Sequence, residues 1–350
     1  MRVFVAGATG AVGSYLVPQL VERGHDVIGS SRSAKKGESL RAKGAEAVVL
    51  DLLDARAVQN AVAAARPDAI VHQATALAGL SDYRHFDRSF AETNRLRTEG
   101  TDALLAAARS VGVGRFVAQS FAGWPYTREG GPIKTEDDPL DPTPAAAMRQ
   151  SLDAIRHLER ATLDVGGIAL RYGGLYGSPQ DPQLELVRKR RFPIVGDGGG
   201  IWSFVHLEDA ARATVLALEH GEPGVFNVVD DEPAPVREWL PALASAIGAK
   251  PPRHVPTWLA RLLAGEAGVV LMTDIRGASN AKAKRELGWA LHYPSWREGF
   301  VRAYRAIGAG PADAAGGGPA TQSPGAEASR RPSPRTEKPC RSRASRGRRP

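Results

Sequence analysis

The run Gly7-Ala8-Thr9-Gly10-Ala11-Val12-Gly13 constrains this chain more than any other stretch. Four apolar residues, Val3-Phe4-Val5-Ala6, precede it, and a helical pattern follows from about residue 12 to residue 23. Read physically, that is a buried strand, a tight turn and a helix whose free N–H groups face the turn. A helix start of this kind attracts an anion, and the pyrophosphate of a dinucleotide suits it best. Gly7 permits the sharp turn, Gly10 leaves out a Cβ where phosphate must come close, and Gly13 lets the helix lie against the strand. The spacing is GxxGxxG rather than the commoner GxGxxG, so the match is one of logic rather than letters. Thr9, Ala11 and Val12 complete the candidate phosphate turn. An ordinary strand–helix turn is the plainer reading of the same residues.

Strand-like and helical runs alternate through the first half of the chain. The pattern predicts strands at 2–6, 26–30, 46–50, 69–72 and 115–119, and helices at 11–23, 55–65 and 92–110. Such alternation means βαβ crossovers and a parallel sheet with helices on both faces. Pro18 falls inside the first helix and removes one backbone donor there. Ligands of such sheets bind beyond the C-terminal ends of the strands, so those ends hold the candidate site.

The second strand runs into Ser31-Arg32-Ser33, with Lys35 and Lys36 behind it. An NAD-selective site needs an acidic residue near this point for the ribose 2′-OH. The basic cluster favours NADP instead, with Arg32 on the 2′-phosphate. A solvated basic loop is the alternative. Asp51 and Leu52 end the next strand at the adenine edge. Gln73 and Ala74 follow His72 at the end of the fourth, where small residues let backbone pass the cofactor; His72 itself reads as a packed strand residue. Ser120 ends the fifth predicted strand, beside the expected nicotinamide position, where a loop-capping hydroxyl is the competing reading.

Charge narrows the partners. The 350 residues carry a net charge of +8, but residues 309–350 hold nine Arg/Lys against three acids, leaving +2 on the rest. The body therefore offers no electrostatic footprint for nucleic acid. From about Ala309 the chain is rich in Gly, Pro, Ala, Ser and Arg, a composition that favours disorder. The single cysteine, Cys340, allows neither an internal disulfide nor a cysteine-based metal site. The strand begins directly behind Met1, which leaves no room for a signal peptide, and no apolar run reaches the length of a membrane span. A soluble cytoplasmic protein is expected. Its expected partners are a small-molecule substrate and, at most, a second copy of itself, with no metal, nucleic acid or membrane.

The glycine turn, Asp51-Leu52, Val71-His72-Gln73-Ala74, Asn94…Gly100-Thr101 and Phe116-Val117…Ser120 occur together and in order. Leu170-Arg171-Tyr172-Gly173-Gly174-Leu175-Tyr176-Gly177, Phe204-Val205-His206-Leu207-Glu208-Asp209 and Phe226-Asn227-Val228 follow, ending with Ala283-Lys284-Arg285-Glu286-Leu287-Gly288-Trp289. Over roughly residues 1–305 the chain thereby resembles the NAD-dependent epimerase/dehydratase group of extended or atypical short-chain dehydrogenase/reductases. The resemblance implies an α/β fold: a Rossmann-type doubly wound parallel sheet over 1–170 and a smaller C-terminal substrate-binding region over 171–308 interleaved with it; composition, not the resemblance, sets off the disordered basic tail over 309–350. The resemblance also places Asn94 and Tyr172 among the cofactor-side residues, and implies a substrate that is a nucleotide-sugar or a small polar metabolite. Arg188 and Arg276 are candidate phosphate contacts or plain surface arginines. His206 lies in a segment implied to approach the substrate.

One departure is catalytic. Members of the family use a Tyr-x-x-x-Lys pair on the helix after the Ser120 strand, the lysine lowering the tyrosine pKa while hydride moves. Matching Glu159 to the acidic residue four positions after that lysine leaves Ser151 and Ile155 at the pair. No tyrosine lies between Tyr126 and Tyr172, and the only lysine between Lys43 and Lys189 is Lys134. The expected substitutes are Tyr126 and Lys134, acting with Ser120 beside an apolar wall at Trp124. Packing of that loop is the competing reading. Two classes of function stay open: an NAD(P)-dependent reductase, epimerase or dehydratase with unusual acid–base residues, and a dinucleotide-binding sensor without chemistry.

Overall fold

Strand β1 (Arg2–Ala6) is apolar after its first residue, and four of its five residues are buried. Around it lie β2 (Asp26–Ser31), β3 (Glu46–Val49), β4 (Ala69–His72), β5 (Arg115–Phe121), β6 (Ile168–Tyr172) and β7 (Gly224–Val228). This arrangement comes from a computed structural model that describes residues 1–77, 82–179 and 181–308. The sheet order is β7-β6-β5-β4-β1-β2-β3 and every neighbouring pair is parallel. It is the doubly wound Rossmann-type sheet expected from the sequence. The chain reverses its direction of winding between β1 and β4, which opens a crevice beyond their C-terminal ends. The tail expected over 309–350 lies outside the described residues.

Strand alternation divides the core. Val3, Val5, Val71, Val117 and Leu170 pack with α1 (Ala11–Glu22) and with the helix Leu207–His220 on one face. Phe4, Ile70, Phe116 and Ala118 pack with helices Ala55–Ala65 and Thr101–Val111 on the other. Helix α1 runs through Pro18. Proline offers no N–H to the Ser14 carbonyl, and the Lys43 ammonium takes it up at 2.9 Å.

Two local features differ from the sequence expectation. A helix, α2 (Ala34–Arg41), follows β2, capped by the Ser33 hydroxyl, which accepts from the Lys36 amide. Its sequence AKKGESLR lacks an apolar stripe, with only Gly37 and Leu40 buried, so periodicity did not reveal it. The helix expected over 92–110 is interrupted. Its first turn is Ala91–Arg95, a π-helical turn occupies Leu96–Gly100, and α3 (Thr101–Val111) completes it before Gly112 turns left-handed. Next along the chain is α4 (Arg149–Leu163), which covers β5 and β6.

The C-terminal region builds an aromatic core around Phe204, Trp239, Trp296 and Phe300 that is shared with Phe86, Trp124, Leu152 and Ile155 of the first half. It is pinned to α5 (Leu207–His220) by Asp209, whose carboxylate accepts from the His292 and Tyr293 amides at 2.8 Å each. Helix α6 (Thr257–Thr273) runs along this region, broken at Gly265, where φ is +70°.

Buried Asp230 makes stability in this region pH-dependent. Desolvation first, then the neighbouring charges of Glu232 and Asp231, hold its carboxyl up at about 8, against backbone amide bonds that pull the other way. The folded state therefore keeps a proton that the unfolded chain gives up near its ordinary value. The stabilisation is complete below that ordinary value and is lost as pH rises towards 8. Asp230→Asn is expected to match the parent's stability only below about pH 4, where the carboxyl is protonated in both folded and unfolded chains. At pH 9 it should exceed it by roughly 1–3 kcal/mol of stability. Thermal melts across pH check this, and parallel curves for the two proteins would refute it.

Candidate active site

The glycine turn sits at the winding reversal. Gly7 has φ +83°, and a Cβ there would lie 2.7 Å from the Cα and N of Ala74 at the end of β4. A Cβ on Gly13 would lie 2.4 Å from the Ala8 carbonyl oxygen. These two glycines thus set how closely the turn approaches β4 and how closely α1 approaches the turn. The turn is held from the side by β2: the Gly7 amide donates to Ser30 Oγ and the Thr9 hydroxyl to Ser31 Oγ, both at 3.2 Å. Gly10 is the N-cap of α1 and brings no capping side chain, so the amides of the first turn face the crevice. Ala11 is exposed beside them, whereas the Val12 side chain is core, leaving its backbone as its contribution to any site.

Arg32 leaves the end of β2 with most of its side chain exposed and pairs with Glu92. Asp51 is exposed and caps its own turn, accepting from the Leu53 amide at 3.0 Å, while Leu52 is core. Gln73 and Tyr172 are brought together, but inward. The Gln73 amide donates to the Tyr172 hydroxyl at 2.9 Å, and that hydroxyl meets Thr214 Oγ1 at 2.5 Å. Burial pushes the Tyr172 phenol up to about 12. Strand alternation turns this ring into the α1/α5 core, so its expected place against the cofactor is corrected to a core position. Asn94 donates to Ser151 Oγ at 3.0 Å, and Ser151 donates to Asp87 at 2.6 Å.

The three expected catalytic residues are not assembled around the crevice. Ser120 is buried and donates to Glu159 on α4 at 2.6 Å. Arg171 grips both carboxylate oxygens of Glu159 at 2.7 Å and donates to the Tyr126 hydroxyl at 2.9 Å. Tyr126 in turn donates to Asn227 at 2.6 Å. Ser120, Arg171 and Asn227 are cross-strand neighbours in register, so the network is one polar row across β5, β6 and β7. Burial raises the Tyr126 phenol to about 12, with Arg171 acting against it, which makes it a poor proton donor at neutral pH. Lys134 closes its own loop, donating to the Glu129 carbonyl at 2.5 Å and to Asp138 at 3.3 Å. The geometry corrects the expectation of a joint Ser120–Tyr126–Lys134 site: Ser120 and Tyr126 share a structural network and Lys134 belongs to another.

Beyond the tip of β5 lies a narrow, mainly apolar pocket of about 20 Å³, which a ring-sized molecule must widen to enter. Because side chains alternate, the residue after inward-facing Ser120 points the other way, and Phe121 lines the pocket with Trp124, Trp202, Leu271 and Ile275. Trp202 is fixed by its indole N–H on the Leu271 carbonyl at 2.9 Å, and Trp124 meets Phe86 edge-on at 5.3 Å. Sequence reading missed Phe121, although the alternation that buries Ser120 would have found it. Trp202, Leu271 and Ile275 arrive from distant segments and left no local signal.

Residues 3–228 match the family described as NAD dependent epimerase/dehydratase. The chain belongs to that family. A 3-diazoavenalumate denitrifying reductase from a Streptomyces species is 45% identical over 315 residues, covering 86% of this chain and 100% of the relative. A 2-alkyl-3-oxoalkanoate reductase from Stenotrophomonas maltophilia is 30% identical over 267 residues, covering 71% of this chain and 76% of the relative. Among solved structures, a UDP-glucose 4-epimerase of Thermus thermophilus in complex with NAD superposes with a TM-score of 0.68 at 25% identity, covering 88% of this chain and 99% of that one. The family is described as NAD dependent and the Thermus epimerase is solved with NAD, which supports a nicotinamide dinucleotide as the cofactor class. The cradle at Gly7, Gly10 and Gly13, with uncapped amides facing it, fits the pyrophosphate of such a molecule.

Proposed function

We propose that this protein is an NADPH-dependent reductase that removes the diazo group of a flat, conjugated substrate as dinitrogen. The observation that carries the reading is the pocket beyond β5, whose wall is aromatic and aliphatic and whose strand-tip residue is Phe121 rather than a hydroxyl. Similarity to the Streptomyces denitrifying reductase along that relative's whole length points the same way. A nucleotide-sugar finds few polar partners on this wall, whereas a planar conjugated substrate that opens the pocket has aromatic faces to stack on.

A reduced nicotinamide, when bound, supplies hydride. In its diazonium form the substrate accepts that hydride as a new C–H bond while the C–N bond breaks, and dinitrogen leaves with the bonding pair. No hydroxyl proton is taken or given, so this chemistry does not need a Tyr-x-x-x-Lys pair, and Ser151 and Ile155 stand at those positions. The chain's own part is positioning and exclusion of water. The amides of the Gly7–Gly13 turn hold diphosphate, and Asp51 and the Ala74 backbone border the adenosine and ribose. The faces of Phe121, Trp124 and Trp202 stabilise a cationic diazonium by cation–π attraction.

Incubation with NADPH and 3-diazoavenalumate should consume one cofactor per dinitrogen released. Consumption without gas would overturn the reading, as would inertness towards the diazo compound together with epimerisation of UDP-glucose. Arg32, at the mouth of β2, is assigned to the 2′-phosphate, where charge-assisted bonds are worth roughly 1.5–3 kcal/mol. Arg32→Ala is expected to weaken NADPH binding about 10- to 100-fold and leave NADH binding unchanged. Titration by cofactor fluorescence checks it, and equal losses for both cofactors would remove Arg32 from that role.

A further inference from the structure

Helix α6 begins as an arm, residues 257–264, set off by the left-handed Gly265. Trp258, Leu262 and Leu263 on this arm are 70%, 62% and 64% exposed. At 100° per residue they fall in one sector with Leu259, while Ala260, on the opposite side, is the buried residue of the arm. The arm thus presents its apolar sector outward, the reverse of an ordinary surface helix. The other five tryptophans, Trp124, Trp202, Trp239, Trp289 and Trp296, are at most 9% exposed.

Positive charge predominates around the arm, with Asp197 near its start and Glu266 just past Gly265 as the acidic exceptions. Arg261 is on it, and Lys250 and Arg253 lie just before it. The strand Ile194–Val195 pairs with His254–Val255, and Arg190 donates to the Pro251 carbonyl at 2.9 Å, which brings the Arg188–Arg191 run alongside. Glu185 engages Lys189 and Arg188 of that run. Lys250, Arg253, Arg261 and Arg191 are exposed and form no ion pair among the described residues.

We infer that the 257–264 arm is a docking surface for an anionic lipid bilayer. A tryptophan and two leucines facing solvent, flanked by unneutralised lysine and arginine, are the two parts of interfacial binding: apolar insertion and attraction to acidic headgroups. The docking is peripheral, since no helix among the described residues is long and apolar enough to cross a membrane. Past Gly265 the same helix reaches the pocket, where Leu271 forms part of the wall. The arm therefore joins the bilayer surface to the site, a route suited to substrates that partition into lipid.

The test uses the full-length protein and vesicles of phosphatidylcholine with or without phosphatidylglycerol. Phosphatidylglycerol vesicles are expected to shift tryptophan emission to the blue and protect it from acrylamide, a signal that reads Trp258 because the other indoles are already buried. Leu262→Ser with Leu263→Ser should abolish the shift. The triple change with Trp258→Ser should lower flotation with vesicles about tenfold while leaving the far-ultraviolet spectrum and NADPH binding intact. Arg253→Glu with Arg261→Glu should do the same, and added salt should weaken binding of the parent. Flotation undiminished in the triple variant would assign binding to the basic residues of 309–350 and overturn the proposal. So would an absent emission shift, or lipid-free self-association that the triple variant abolishes, which would make a second copy the occupant.

Discussion

Glu159→Ala should lower stability by about 3–5 kcal/mol, the largest effect expected of any single substitution in this protein. The carboxylate is buried and accepts three hydrogen bonds, one from Ser120 and two from Arg171. Removing it strands the Arg171 guanidinium, which is buried with it. A second cation also depends on this charge. Arg97, on the π-helical turn, is buried, its Nε and Nη1 lack hydrogen-bond partners among the described residues, and desolvation lowers its pKa to about 10 with Glu159 opposing the shift. One carboxylate therefore offsets two buried guanidiniums, and its loss is felt twice. Glu159→Gln keeps acceptor capacity but not charge and should lie between parent and alanine. Urea unfolding followed by tryptophan fluorescence measures this. A loss below about 1 kcal/mol would mean that water already solvates the row across β5, β6 and β7.

Gly7→Ala is expected to weaken nicotinamide dinucleotide binding by 100-fold or more, equivalent to roughly 3 kcal/mol. Two causes act together. A residue with a side chain at φ +83° costs about 1–2 kcal/mol, and the new Cβ would lie 2.7 Å from Ala74 backbone, which has no flexible end to yield. Relief requires the turn to move away from β4, which displaces the amides meant for diphosphate. Gly24→Ala supplies the control. Gly24 is also left-handed, at φ +79°, but a Cβ there meets nothing within 4 Å, so it should show the backbone cost alone, with cofactor affinity unchanged. Isothermal titration of both variants checks the difference. Equal affinities in the two would show that the contact with Ala74 does not shape the phosphate turn.

How much was legible can be judged element by element. The helix over 55–65 and the strand over 69–72 occur as read, because each has a period that local sequence sets: Val58, Val62 and Ala65 on one helical face, and four successive buried residues in β4. Helix α2 escaped because a charged, capped segment carries no apolar stripe. The π-helical turn escaped because a single wider turn, here with Leu96 and Arg97 buried on it, leaves no mark in a helical period. Ser120 was read correctly as the end of a central strand, yet which face it takes depends on register with β6, where Arg171 stands opposite.

The sequence by itself determined the alternation of strands and helices, the parallel doubly wound sheet and the position of the glycine turn. Those rest on interactions between residues close along the chain: side-chain periodicity, helix starts and the stereochemistry of glycine. Only the tertiary structure decided the site. It paired Ser120 and Tyr126 with Glu159 and Arg171 in a buried row, folded Lys134 into its own loop, and built the pocket wall from Phe121, Trp202, Leu271 and Ile275. Burial and hydrogen bonding fix whether a polar side chain is available for chemistry, and both depend on neighbours that are distant in sequence.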